Sequence, residues 1–278
     1  MHKIVELFGV NTSLKDIDWE KIIREQICPY SNKRCYKIRK SQPNVSIGTC
    51  TVLYGVENLP IIICPNRLLQ NRKVFMDCIH LLQLHQPGND IHIVSEISVP
   101  GGNVDYVIAS IRNGKVSDFV GIEFQTLDTT GTVWTERQKF LKECGINIAE
   151  LIEEKSYGMN WKMTAKTILM QLLHKVETFE HLGKHLVLIV QDIFFNYMMK
   201  EFTFQGINNP ALIGDSLQFH SYSVVQRDSQ NINLKDRFST DTKGLAKCLG
   251  LNAEIKVELM EIINRIEMKI TNDTLLKI

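Results

Sequence analysis

The chain has 278 residues, of which 44% are hydrophobic and 23% charged, which excludes a disordered, collagen-like or low-complexity polypeptide. A net charge of +1 excludes a uniformly basic nucleic-acid coat but leaves room for a local basic groove. No apolar run approaches the roughly 20 residues of a membrane helix, and the start Met1-His2-Lys3-Ile4-Val5-Glu6 lacks the apolar stretch of a secretory signal, so a soluble, cytoplasmic protein without a membrane partner is expected.

Residues 1–66 hold four of the seven cysteines and the cluster Lys33-Arg34-Cys35-Tyr36-Lys37-Ile38-Arg39-Lys40. A regular α/β pattern follows, so the chain divides into an N-terminal segment, 1–66, and a main domain, 67–278. Leu68, Leu69, Val74, Phe75, Cys78, Ile79, Leu81 and Leu82 form a loosely helical stripe that predicts a helix over Arg67–Leu84, stopped by Gln86-Pro87-Gly88-Asn89. Extended segments are expected at Ile91–Val99, Val104–Ile111 and Val116–Gln125, then a helix from Trp134 towards Glu154. A stronger helix is expected over Trp161–Leu182, with Ile168, Leu169, Leu172, Leu173, Val176 and Phe179 on one face. Leu186–Gln191 reads as a buried strand. Consecutive strands followed by a crossover helix imply a mixed sheet with helices on both faces. Residues 205–250 read as polar, DNA-reading loops around one strand, Phe219–Val225, and a last helix is expected over Ala253–Lys269.

Two constellations carry chemistry. Cys28, Cys35, Cys50 and Cys64 have turn-type neighbours in Pro29, Gly48-Thr49 and Pro65, which suits a tetrahedral thiolate site fed from turns. Close C-x2-C pairs are absent, and spacing alone weighs a metal site and four buried free thiols equally. Cys78, Cys144 and Cys248 are expected in the core. The second constellation is acidic. Gly101-Gly102-Asn103-Val104-Asp105 opens one strand, and Glu123-Phe124-Gln125 closes the next, with Glu123 and Gln125 on one face. An Asp beside that pair on the neighbouring strand suits a divalent cation held against a scissile phosphate. Register decides whether they meet. A two-residue Asn113-Gly114 loop sets Asp105 opposite Ile122, on the wrong face, whereas a three-residue loop, Arg112-Asn113-Gly114, sets it diagonal to Glu123.

Together these residues resemble the NotI-like type II restriction endonucleases, a branch of the PD-(D/E)xK nucleases. The resemblance is carried by the cysteine quartet with Cys28-Pro29 and Cys64-Pro65, by Gly102-Asn103-Val104-Asp105-Tyr106, and by Glu123-Phe124-Gln125 with Thr126-Leu127-Asp128-Thr129-Thr130-Gly131-Thr132. It implies a homodimeric, Mg²⁺-dependent endonuclease with an αβββαβ core and an N-terminal four-cysteine site for structural iron or zinc. Asp105 and Glu123 are then the catalytic metal ligands, Gln125 stands where most of the superfamily has lysine, and Glu96 is the upstream acidic residue. Gln125 cannot supply positive charge, which favours a second cation; Lys139 or Lys142 on the next helix could substitute, although solvated positions suit both better.

Lys33, Arg34, Lys37, Arg39 and Lys40 form a candidate phosphate-contacting patch, and Arg227, Asp228, Gln230, Lys235 and Arg237 are candidates for reading bases. The expected function is double-strand cleavage at a short, GC-rich palindrome, inside a bacterial or archaeal cell that also holds a cognate methyltransferase in no stable complex with this chain. The rivals are an inactive DNA-binding protein on the same fold and a structure-specific repair nuclease.

Overall fold

The protein is described by a computed structural model over residues 2–147, 156–204, 206–225 and 231–251, with isolated positions 260, 263, 264 and 268. The chain opens with β1 (Ile4–Leu7), β2 (Val10–Asn11) and α1 (Trp19–Glu25), the helix started by the Asp18 side chain accepting from the Lys21 amide at 2.9 Å. After two short ribbons come β3 (Thr49–Tyr54) and β4 (Leu59–Ile62), which complete an antiparallel sheet in the order β2-β1-β3-β4.

A six-stranded sheet forms the centre. β5 (Asp90–Val99), β6 (Gly102–Arg112) and β7 (Lys115–Gln125) make an antiparallel meander, close to the bounds their sequence predicts. Two helices follow, α2 (Trp134–Glu143) and α3 (Trp161–His181), before β8 (His185–Gln191) pairs parallel to β7. Next come α4 (Asp192–Glu201), β9 (Leu217–Val225) parallel to β8, β10 (Asn231–Thr240) antiparallel to β9, and α5 (Thr242–Cys248). The sheet order is β10-β9-β8-β7-β6-β5, a mixed sheet as expected.

β8 is buried along its whole length because both faces are covered. Leu186, Leu188 and Val190 face a cluster that includes Ile168, Leu169, Leu172, Val176 and Phe179 of α3. Val187 and Ile189 face the opposite cluster, with Leu68, Val74, Phe75 and Leu81. The first cluster also contains Ile4, Leu7, Val52 and Ile61, so the apolar core runs unbroken from the N-terminal sheet into the central one. The Gln191 side chain stitches the two by accepting from Ile62 N at 2.9 Å and donating to Pro60 O at 2.7 Å.

Several expectations are corrected. Arg67–Leu84 buries its stripe but is not one helix. It is a 3₁₀ segment, Pro65–Arg72, a single α-turn, Lys73–Met76, and a second 3₁₀ turn, Ile79–Leu81. Asn71 and Arg72 are left-handed (φ 54° and 53°), a conformation that interrupts the helix, while the Gln70 side chain accepts from Ile232 N on β10 at 3.1 Å. The helix from Trp134 stops at Glu143, well short of Glu154. Gly145 (φ 81°) turns the chain there, with Ile146 N donating to Leu141 O and Gly145 N to Lys142 O. The polar stretch 205–250 contains β9, β10 and α5 rather than loops around one strand. β10 escapes a simple alternation rule because it is an edge strand bearing Lys235, Asp236 and Arg237, charges that discourage pairing with other chains. Cys78 and Cys248 are buried as expected, but Cys144 is exposed just beyond the end of α2. The helix expected over 253–269 falls almost wholly outside the described residues, as do residues 148–155. Among the described residues no helix is long and apolar enough to cross a membrane.

One buried ion pair locks the N-terminal sheet to this scaffold. Arg67 Nε lies 2.9 and 2.7 Å from the two oxygens of Glu6, both side chains almost fully enclosed, and the Thr51 hydroxyl also donates to Glu6. Removing one partner strands a buried charge, so Glu6→Gln is expected to cost about 3–5 kcal/mol. The paired change Glu6→Gln with Arg67→Met should recover much of it, as read from urea-denaturation midpoints.

A second effect concerns acid. His220 on β9 is fully buried, its Nε2 3.0 Å from Gln218 Oε1 and its Nδ1 3.5 Å from Cys78 Sγ, and burial depresses its pKa from 6.5 to about 3. The unfolded chain therefore binds the proton first, and this group's contribution to stability, complete above about pH 6.5, is lost as pH falls towards 3. Denaturant midpoints should drop across that window, and His220→Gln should flatten the slope.

Candidate active site

The site begins at a hairpin. Asn113 and Gly114, both left-handed (φ 51° and 73°), form a two-residue turn in which Arg112 pairs with Lys115 and Ile111 with Val116. By itself that loop sets Asp105 opposite Ile122. A β-bulge then changes the count: Ser110 pairs with Asp118, leaving Ser117 as the extra residue, and the ladder continues through Tyr106 and Ile122. Asp105 therefore faces Glu123. The turn is the two-residue loop, and the bulge, which neither expected loop included, supplies the correct parity. Polar side chains pin it: Ser117 Oγ donates to Ser110 O at 2.9 Å, and Asn89 Nδ2 reaches both Ser110 Oγ and Ser117 Oγ, at 2.9 and 3.2 Å.

On the other side of β6, Val104 pairs with Ile97 and Tyr106 with Ser95, which leaves Glu96 level with Asp105. Glu96 is exposed, and its φ of 57° is a left-handed conformation that costs a non-glycine residue about 1–2 kcal/mol, a type of strain that clusters at functional sites. Three carboxylates, Glu96, Asp105 and Glu123, thus stand in a row across β5, β6 and β7. Asp105 is half-buried, with one oxygen accepting from Phe124 N at 2.8 Å. Glu123 is buried.

The row is short of positive charge. Burial raises the Asp105 pKa against the pull of the Phe124 amide and Lys175, and Glu96 adds to the rise. Burial also pushes Glu123 up to about 7, opposed by Lys175 and reinforced by Asp105. Lys175 on α3 was not among the expected residues. Its Nζ lies 2.6 Å from Glu123 Oε1 and 2.5 Å from Asn103 O, inside the protein. The sequence held one signal: Lys175 falls three residues after Leu172 and four before Phe179, a charge on an otherwise apolar face.

Gln125 lies on the Glu123 face of β7, and its Nε2 donates to Thr126 O at 2.6 Å. Neither candidate substitute lysine joins the row: Lys139 pairs with Glu136 at 3.0 Å, and Lys142 is exposed, the placement favoured for it from sequence. Within 126–132, Thr129–Thr130 pairs with Gly158–Met159 as a short ribbon.

The four N-terminal cysteines are all buried and near one another. Cys28 lies on a two-residue strand paired with Lys33–Arg34, Cys50 on β3, and Cys64 immediately before the 3₁₀ segment. Cys50 shares a hydrogen bond with Cys64, and both Cys28 and Cys64 act electrostatically on Cys35. That bond from Cys50, with Lys37 and the amides of Asn66 and Arg67, lowers the Cys64 pKa to about 6 despite its burial. Burial raises that of Cys35. Among the described residues no group of three or more His, Cys, Asp or Glu side chains is placed to hold a metal ion. The four cysteines are therefore free buried thiols here, and the expected four-cysteine ligand shell is not seen. Cys50 holds its proton towards the acidified Cys64, and metal ligation requires the remaining thiols to lose theirs.

Of the candidate DNA contacts, Lys33, Arg34 and Lys40 are exposed. Lys37 turns inward to the Ile63 carbonyl, and Arg39 stacks 4.5 Å over the Trp134 ring. Lys235 pairs with Asp192 at 3.0 Å, while Arg237, half-buried, donates to Asp77 O at 3.2 Å. Arg227, Asp228 and Gln230 lie outside the described residues.

A desolvated carboxylate pair on the strands of a central mixed sheet, with one buried lysine beside it, has the chemistry of a phosphodiester hydrolase. Comparison makes this specific: the family model described as Restriction endonuclease NotI matches residues 19–219, a span that contains the cysteine quartet, the carboxylate row and Lys175. The chain belongs to this family and is a type II site-specific deoxyribonuclease, which binds double-stranded DNA. No curated protein matches it.

Proposed function

We propose that the chain cuts both strands of a short, GC-rich palindrome by divalent-metal-dependent hydrolysis, with Asp105 and Glu123 as the metal-holding carboxylates of a PD-(D/E)xK-type core. The observation that carries the reading is the pairing of Asp105 with Glu123 through the Ser117 bulge, together with their shortage of neutralising charge. Hard oxygen donors in that state fit Mg²⁺, which is commonly held by one or two carboxylates and completed by water and phosphate oxygens. When bound, the ion polarises the phosphate, lowers the pKa of a bound water and stabilises the leaving oxygen.

The chain's own residues do the positioning. The Phe124 amide fixes one Asp105 oxygen, and Lys175 fixes one Glu123 oxygen. Gln125, two residues along the same face, orients water or phosphate by its amide, and Glu96 extends the acidic row towards the sheet edge. One such site cuts one strand, so two-fold DNA symmetry calls for a homodimer. Residues 67–278 then form the nuclease domain, with base contacts from 205–250 including Arg227, Asp228, Lys235 and Arg237. Residues 1–66 present the exposed Lys33 and Arg34 to phosphates, while Lys37 and Arg39 are held behind them by the Ile63 carbonyl and the Trp134 ring. The setting is the cytoplasm of a bacterium or archaeon, with a separate cognate methyltransferase.

For residues 1–66 the reading includes one iron or zinc ion on Cys28, Cys35, Cys50 and Cys64. Four buried soft donors in one segment, one of them already acidified, support it. Such a shell leaves no open position, so this metal serves folding and takes no part in cutting.

Two measurements test these readings. Plasmid incubated with protein and Mg²⁺ should give discrete bands. Asp105→Asn or Glu123→Gln should reduce cutting by at least about a thousandfold while specific binding persists in Ca²⁺. Smeared products, or near-native cutting by either variant, would move the active site elsewhere. Elemental analysis of protein never exposed to chelator should find about one iron or zinc per chain. That metal should be lost in Cys50→Ser and retained in Cys144→Ser.

A further inference from the structure

We propose that Lys175 is the positioning cation of this active site, entering from helix α3 in place of a lysine on strand β7. The inference rests on the reading of Asp105 and Glu123 as the catalytic carboxylates, and it adds a residue from a different element of the fold.

Three independent observations converge on this lysine. The first is the pair of contacts made by one buried ammonium, to Glu123 Oε1 on β7 at 2.6 Å and to Asn103 O on β6 at 2.5 Å. Lys175 therefore ties together the two strands that present the carboxylates, two residues before Asp105 and at Glu123 itself. The second is the shape of the β5–β6 turn. A Cβ on Gly101 (φ 96°) would lie 2.9 Å from the His174 carbonyl carbon and 3.0 Å from Lys175 N, and one on Gly102 (φ 127°) would lie 3.4 Å from Lys175 Cε. The Gly101-Gly102 pair is what lets the turn close onto α3 at this lysine. The third is a further clamp one helical turn on, where Thr178 Oγ1 donates to Pro100 O at 3.0 Å.

The chemistry at the strand position is complementary. Gln125 carries no charge, and its Nε2 is engaged with Thr126 O. A buried lysine without an acidic partner is costly, and a buried carboxylate pair without a cation is equally so. Placing Lys175 against Glu123 meets both needs and fixes one carboxylate oxygen before substrate arrives. A fixed positive charge beside the row also limits how strongly a free divalent ion is held, and it stays in place as negative charge builds on the phosphate.

The test uses Lys175→Met, which keeps the stem and removes the charge, with Lys166→Met on the solvent face of α3 as control. Lys175→Met should lower cleavage by about a hundredfold or more. Specific DNA binding in Ca²⁺ should persist, which also verifies folding. Calorimetric titration of the DNA-free protein with Ca²⁺ should show binding tightened by about tenfold, because a neighbouring cation has been removed. Adding Gln125→Lys to the Lys175→Met background returns a cation two residues from Glu123 on the same face of β7 and should recover at least about tenfold of the cleavage rate.

Cleavage by Lys175→Met within about threefold of native, alongside an inactive Asp105→Asn, would overturn the inference while leaving the carboxylate reading intact. Lost cleavage with unchanged Ca²⁺ affinity and no rescue by Gln125→Lys would equally overturn it, since a merely structural lysine behaves that way. Native cleavage by Asp105→Asn would instead defeat the reading on which the inference rests.

Discussion

The pairing parity of two neighbouring strands governs this molecule. Side chains alternate along a strand, so shifting one strand by a single residue moves a carboxylate from one face of the sheet to the other. The tight Asn113-Gly114 turn by itself gives the wrong parity, and the extra residue at Ser117 reverses it. Everything chemical follows from that residue. Asp105 and Glu123 come to share the face covered by α3, and with Glu96 they form a row across three strands. The bulge is anchored by hydroxyl and amide groups of Ser110, Ser117 and Asn89, so its position does not depend on the Asn-Gly turn alone.

The burial that creates the site also creates its electrostatic problem. Glu123 sits on the strand next to β8, the most enclosed strand of the sheet, where water cannot screen it. Its raised pKa records that enclosure more than the effect of its neighbours, since burial is the leading cause and Lys175 works against it. A carboxylate pair left in this condition favours any cation that can reach it. The fold supplies one such cation from α3 and leaves Asp105, only half-buried, beside it. On the proposed reading a hydrolase acting on a charged backbone gains from this division, because the permanent charge would orient while the exposed side would stay open to an ion and a phosphate.

The N-terminal segment is held to the same scaffold by different means. Its sheet shares the apolar core of the central domain, Gln191 satisfies two backbone groups of β4, and Glu6 and Arg67 pair where no solvent reaches. The clustered thiols sit at the end of this arrangement, with Cys64 only three residues before Arg67. The cysteines are therefore close in the chain to the ion pair, and the basic side chains between Cys35 and Cys50 have anchors of their own. Lys37 and Arg39 are held by the Ile63 carbonyl and the Trp134 ring instead of extending freely into solvent.

By itself the sequence determined the three-strand meander, the helix over Trp161–Leu182 and the buried strand that follows, because long apolar runs and strong periodicity state their own burial. It also singled out candidates for chemistry: residue type and spacing drew attention to Asp105, Glu123 and the four cysteines, and their combination carried the family resemblance. Tertiary structure alone decided how they meet. A bulge adds one residue to a ladder without a marker in composition, so the face of Asp105 stayed open until strand pairing was seen. The stripe over Arg67–Leu84 read as a helix, yet Arg67 and Gln70 are drawn to partners on β1 and β10, and the left-handed Asn71 and Arg72 accommodate them. Lys175 reaches Glu123 across 52 positions of chain. Local patterns specify which side chains are buried; which of them are buried together depends on long-range packing, and that is where this active site is made.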